Sequence, residues 1–127
     1  MANLHVMKVT STEAVVKCYI TDSSGGTIDI SLQNDLTAAN QTFVSYSTAN
    51  VGIQEIYWGT KQNKQIDISR ITNAAANTVH GHYYLKDTGS YDYVGFLDVA
   101  YANSDIRIIG DGPFHVILKL RKTSGWS

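Results

Sequence analysis

The stretch DIRIIGDGPFHVILKLRKTSGW, Asp105 to Trp126, decides the fold class. Ile106 and Ile108 alternate with Arg107. Phe114, Val116, Leu118 and Leu120 alternate with His115, Ile117, Lys119 and Arg121. Side chains along a strand point to opposite faces in turn, so each set shares one face of a strand. Between the two runs stands Gly110-Asp111-Gly112-Pro113, a turn signal. Its glycines tolerate positive φ, its aspartate can bond the turn backbone, and its proline starts a strand without owing a ladder donor. The pattern predicts a closing β-hairpin.

The same alternation recurs upstream. Val6 to Val9 predicts a short first strand, ended by the hydroxyl run Thr10-Ser11-Thr12. Ala14 to Thr21 and Thr27 to Gln33 flank the turn signal Asp22 to Gly26 and predict a second hairpin. Val51 to Trp58 and Gln65 to Ile71 flank Gly59 to Lys64 and predict a third. In the first of these, Ile56 and Trp58 are expected on one face, Ile53 and Tyr57 on the other; in the second, Ile66 and Ile68 point inward. Thr72 to Asn77 reads as a loop or a single helical turn. Val79 to Leu85 and Tyr91 to Ala100 read as strands joined by a turn through Gly89. The polar segment Asn34 to Asn50, with Phe43, Val44 and Tyr46 as a short strand inside it, reads as a long loop suited to contacting a partner. Short strands separated by turns, with no long 3.6-residue period, predict an all-β single domain: an antiparallel sandwich, jelly roll or barrel built from hairpins. It occupies residues 1–127, with 122–127 as an exposed tail. Trp126 in that tail is expected to dock on its own core or on a neighbouring subunit.

At 127 residues, 43% hydrophobic and 17% charged, the chain is large enough for a core without covalent staples. The net charge of −1 gives no electrostatic reason to expect nucleic acid or an acidic membrane as partner. No apolar run approaches the length of a membrane span, and the first residues lack a signal-peptide pattern. The lone Cys18 excludes an intramolecular disulfide, which suits a reducing cytoplasm; its place between Val16 and Ile20 reads as a small buried hydrophobe.

Chemistry-bearing patterns are few. His80 and His82, two apart on a predicted strand, share a face and with His115 could supply three nitrogens to zinc. The competing reading is three histidines bonded to backbone or tyrosine. Trp58, Tyr83, Tyr84, Tyr91, Tyr93 and Tyr101 could form a sugar platform, or fill the core or a subunit interface. Asp22 and Asp29 lack the spacing of a calcium loop. Neither a nucleophile elbow nor a phosphate loop is present. Lys119, Arg121 and Lys122 read as a solvated strand face rather than a nucleic-acid site, because no aromatics interleave them. No catalytic residue and no cofactor is expected.

Several segments together resemble a known class of protein. They are Ile56-Tyr57-Trp58-Gly59-Thr60-Lys61, His80-Gly81-His82-Tyr83-Tyr84, Asp105-Ile106-Arg107, Gly110 to His115, Leu120-Arg121-Lys122 and Ser124-Gly125-Trp126. In these, nearly the whole chain resembles the small virion structural proteins of tailed bacteriophages of the marine cyanobacterial type. The resemblance implies a non-enzymatic virion component made in the host cytoplasm. Within that class it implies a capsid decoration (cement) protein that binds the major capsid protein, or other virion proteins, as a homo-oligomer, by analogy a trimer. Its contact residues would be Phe43, Tyr46, Trp58, Tyr91, Tyr93 and Trp126. The alternatives are a neck, tail or fibre protein with carbohydrate-binding capacity, and a zinc-binding β scaffold using the three histidines.

Overall fold

The strands follow the alternation of the sequence, but they pair differently from what the turns suggest. The computed structural model describes residues 2–71, 79–92 and 101–127; for residue 2, residues 79–82 and residue 92 it describes the backbone alone. In chain order the elements are β1 (Ala2–Val9), β2 (Glu13–Ile20), β3 (Gly26–Ile30), the one-turn helix α1 (Leu32–Asp35), β4 (Asn50–Thr60), β5 (Gln65–Ile71), β6 (Val79–Lys86), β7 (Thr88–Asp92), β8 (Asp105–Gly110) and β9 (Phe114–Ser124). They form two antiparallel sheets, ordered β1-β2-β9-β4-β7 and β3-β8-β5-β6. Apart from β1, which widens one edge, this is jelly-roll topology, in which successive strands, β5 and β6 excepted, pass from one sheet to the other.

Three expected hairpins are therefore crossings. β2 and β3 lie in different sheets, as do β4 and β5, and β8 and β9. β2 pairs instead with β9, β3 with β8, and β5 with β8. The physical reason is that a period of two records only which face is buried. A turn that folds one strand beside the next in a sheet and a turn that carries it across the core leave the same alternation. The Asp105–Trp126 stretch thus places one arm within each sheet, and each arm is flanked on both sides. The first strand is longer than expected and pairs with β2 along Ala2–Val9, with an irregularity between Val6 and Lys8.

One apolar core fills the space between the sheets. Val16, Cys18, Ile53, Ile56, Ile66, Ile68, Ile106, Ile108, Val116 and Leu118 are all fully buried in it. Ile53 and Ile56 were expected on opposite faces. A bulge between Ile53 and Glu55 in the β4–β9 ladder adds one residue and turns both inward.

Two cations continue the inward parity of their strands. Arg70 follows Ile66 and Ile68, and it is fully buried. Its Nε donates to Ser104 O at 3.0 Å, its Nη1 to Val51 O at 3.0 Å, and its Nη2 to Ala102 O at 3.1 Å and Ser104 O at 2.7 Å. The guanidinium fork so ties β5 to β4 across the core and to the segment before β8. Lys122 follows Leu118 and Leu120. It is 4% exposed, and its Nζ donates to Leu36 O at 2.6 Å and Gln41 Oε1 at 2.5 Å. The expected basic face is accordingly reduced to Lys119 and Arg121.

The 31–49 segment is held at several points. Ser31 caps α1 by accepting from Asn34 N, and Asp35 accepts from Ser31 N in return. Asp105 accepts from Leu32 N at 2.8 Å and Tyr46 OH at 3.1 Å. Phe43 forms an isolated antiparallel bridge with Trp126, and Thr42 and Ser127 exchange backbone bonds of 2.9 Å. Trp126 donates to Thr37 Oγ1, meets Phe43 edge-on, and lies 4.7 Å from Lys122 Nζ. The segment expected as an exposed tail is strand as far as Ser124. Beyond it Gly125 is buried and Trp126 half-buried against the chain's own loop.

Burial raises the Cys18 thiol to about 12, with the nearby Asp35 carboxylate adding to the effect. The native protein is expected to resist thiol reagents at pH 8 and to react in full in urea, since only the thiolate is nucleophilic. Prompt stoichiometric labelling of the native chain would contradict this burial.

Lys122 carries a second pH-dependent contribution. Burial lowers its ammonium below the ordinary 10.5, so between the two values the unfolded chain holds more protons. Stability contributed at this site therefore rises with pH from the lowered value up to 10.5. Cys18 acts oppositely above pH 9, because its native thiol keeps its proton longer. The difference between wild type and Lys122→Met isolates the lysine. The urea midpoint of wild type should gain on that of the variant as pH rises toward 10.5. A constant difference would show that the lysine is not desolvated.

Candidate functional site

Jelly-roll crossings gather four connections at one end of the molecule: β2–β3, β4–β5, β6–β7 and β8–β9. The ladders align Ile20 with Phe114, Phe114 with Thr60, and Thr88 with Gly59, so distant parts of the chain meet there. Between them runs an open groove of about 550 Å³. Ile20, Pro113 and Phe114 give it apolar walls, and Thr21, Thr60 and Thr88 supply hydroxyls. Lys61 and His115 are its ionisable members. Thr60 Oγ1 donates to Pro113 O at 2.9 Å, which fixes that hydroxyl and leaves its oxygen free to accept.

A second groove of about 490 Å³ lies on the outer face of the five-stranded sheet, lined by Lys17, Tyr19, His115 and Ile117. The two share His115. Tyr19, His115 and Gly59 are cross-strand neighbours in one row; Lys17, Ile117 and Tyr57 form the next. A Cβ built at Gly59 would overlap the His115 ring. Glycine there lets the imidazole lie over the β4 backbone, where the two grooves meet.

The outer face divides electrostatically. Glu55 accepts from Tyr57 OH at 2.6 Å and pairs with Lys119 at 3.3 Å. The tyrosine bond, helped by the lysine, holds its carboxyl below the usual range against slight desolvation. Lys17, Lys61 and His115 have no ion pair among the described residues; Lys17 instead lies 5.7 Å from the centre of the Tyr19 ring. The carboxylate of the neighbouring β8–β9 connection, Asp111, accepts from Gln65 N at 2.7 Å.

The residues singled out from the sequence fall in separate places. His115 projects from the outer face of β9, while His80 and His82 lie on β6 of the opposite sheet. The side chains of those two are outside the described residues. Trp58 is 8% exposed and donates to Lys86 O at 3.0 Å, which removes it from any sugar platform or free surface. Tyr91 stacks obliquely on Trp58 and is 44% exposed; Tyr83 packs beside it. Tyr84 stands 68% exposed on the other sheet, and Tyr101 is exposed elsewhere. Phe43, Tyr46 and Trp126 form their own aromatic cluster at the far end. Tyr93 lies outside the described residues. Of the residues around the grooves, only His115 stood out in the sequence. The Gly59–His115 contact depends on β4 pairing with β9, which no local signal announces. No protein-family model matches the chain, and no curated protein and no solved structure matches it either.

Proposed function

We propose that this chain is a non-enzymatic structural protein of a tailed-bacteriophage virion, a capsid decoration protein that docks on the major capsid protein. The observation that carries the reading is the outer face of the four-stranded sheet. There Tyr84, Asp67, Ile109 and Thr27 form one cross-strand row. Tyr84 is 68% and Ile109 40% exposed, an aromatic and an aliphatic anchor on either side of a carboxylate. Exposed tyrosine on a rigid sheet gives large contact area at low entropic cost. The sequence resemblance supports the same reading, and self-association of the chain belongs to it as part of the proposal.

The test is copy number in purified particles, by quantitative mass spectrometry against the major capsid protein. A ratio comparable to that of the capsid protein is expected. Tyr84→Ser with Ile109→Ser should cut occupancy at least about tenfold, the loss expected on removing anchor residues. Absence of the protein from particles would overturn the proposal. A small fixed ratio would move it to the neck, tail or fibre. The grooves at His115 favour that second reading, with carbohydrate-binding capacity.

A further inference from the structure

We infer that the two grooves meeting at His115 form one binding site for a sugar ring bearing a carboxylate, a hexuronate unit. The inference goes beyond the docking role and uses the opposite sheet. Volumes of about 550 and 490 Å³ lie within the span of small-molecule sites. Among the described residues the two grooves are lined by the bases Lys17, Lys61 and His115 and by no carboxylate. None of these bases is ion-paired among the described residues, although two rows along the same face from His115, Glu55 pairs with Lys119. Bases that line a groove without an ion pair favour an anion.

The remaining lining selects a ring with hydroxyls. The half-buried Tyr19 and Ile117 offer apolar surface on one side of His115, and Pro113 does so on the other. Tyrosine combines a flat apolar face with a polar edge, which suits a pyranose. Thr21, Thr60 and Thr88 converge at three strand ends with hydroxyl oxygens that accept, the Thr60 proton being held by Pro113 O. His115 sits at the junction, held over Gly59, where it can reach a ring oxygen or the carboxylate. All these groups except Thr21, Lys61 and Pro113 stand on strands, so the site is largely preformed.

The experiment is a ¹H–¹⁵N NMR titration of the full chain with glucuronic acid, with glucose and with acetate. Glucuronate is expected to give saturable shifts at Tyr19, Gly59, Lys61 and His115 with a Kd of about 1–10 mM, as befits a single ring. Glucose and acetate should each bind about tenfold more weakly. Lys17→Gln and Lys61→Gln should each weaken glucuronate about fivefold, with the rest of the spectrum unchanged because neither side chain is in the core. Added salt should weaken it as well. The inference is overturned if glucuronate produces no saturable shifts there. Equal binding of glucose, equal binding of acetate, or full binding by the Lys17→Gln/Lys61→Gln protein would overturn it too. None of these results bears on copy number in particles, so the two proposals fail independently.

Discussion

Arg70→Ala is expected to remove about 3–5 kcal/mol of folding stability, a large fraction of the roughly 5–15 kcal/mol that such a domain has. The argument rests on what the guanidinium leaves behind. Ser104 O, Val51 O and Ala102 O all accept from it in a fully buried place. An orphaned buried acceptor costs about 1–3 kcal/mol, and a partly refilled cavity adds to that. The urea midpoint should fall with an unchanged slope, and Tm should drop by roughly 10–20 °C.

Arg70→Lys separates geometry from charge. Lysine keeps the charge but brings one nitrogen where the arginine uses three. It is expected to recover less than half of the loss. Arg70→Met fills the space and satisfies none of the carbonyls, so it should fall near alanine. If methionine were as stable as wild type, the carbonyls would be finding other partners and the guanidinium would not be the clamp described here.

A signal for the clamp stands in the sequence, although Arg70 drew no expectation there and Lys122 was expected on a solvated face. Position 70 continues the inward parity of Ile66 and Ile68, just as position 122 continues that of Leu118 and Leu120. A cation on the inward face of a strand must be buried with acceptors or turned out by a bulge. Faces of strands are local facts, which is why the all-β class and most of the core could be read from alternation. Partners of strands are not local. The Asp22–Gly26, Gly59–Lys64 and Gly110–Pro113 turns have hairpin composition, yet all three carry the chain across the core. Glycine, aspartate and proline report the dihedral angles a turn needs and say nothing of the direction in which the next strand leaves.

The candidate site was less legible for the same reason. Lys17, Gly59, Lys61, Thr88 and His115 come from four strands and a connection, and they meet only because β9 lies between β2 and β4. The zinc reading grouped His115 with His80 and His82 by residue type, whereas the topology groups it with Tyr19 and Gly59. Trp58 looked like a platform because tryptophan suits one. Its inward parity with Ile56 was the stronger signal and agrees with its burial.

Gly25→Ala is expected to cost about 3 kcal/mol or more, and it probes the crossing topology directly. Gly25 has φ +76°, where a β-carbon alone costs about 1–2 kcal/mol. The second cost depends on the arches. A Cβ at Gly25 would overlap Gly110 O and come within 2.7 Å of Gly112 N, so the β2–β3 and β8–β9 connections would have to part. These connections touch because β3 pairs with β8, with Gly26 opposite Gly110. In a protein of three separate hairpins nothing would bring them together. Gly25→Asn distinguishes the two costs. Asparagine tolerates the left-handed region, but it places its Cβ at the same point. If backbone strain were the whole effect, asparagine would recover most of the stability. The close approach predicts that it recovers little, because the Cβ meets Gly110 O whatever dihedral angles the residue tolerates. Recovery of most of the stability by Gly25→Asn, measured by urea unfolding, would mean that the two connections are not in contact and that this end of the jelly roll is not built as described.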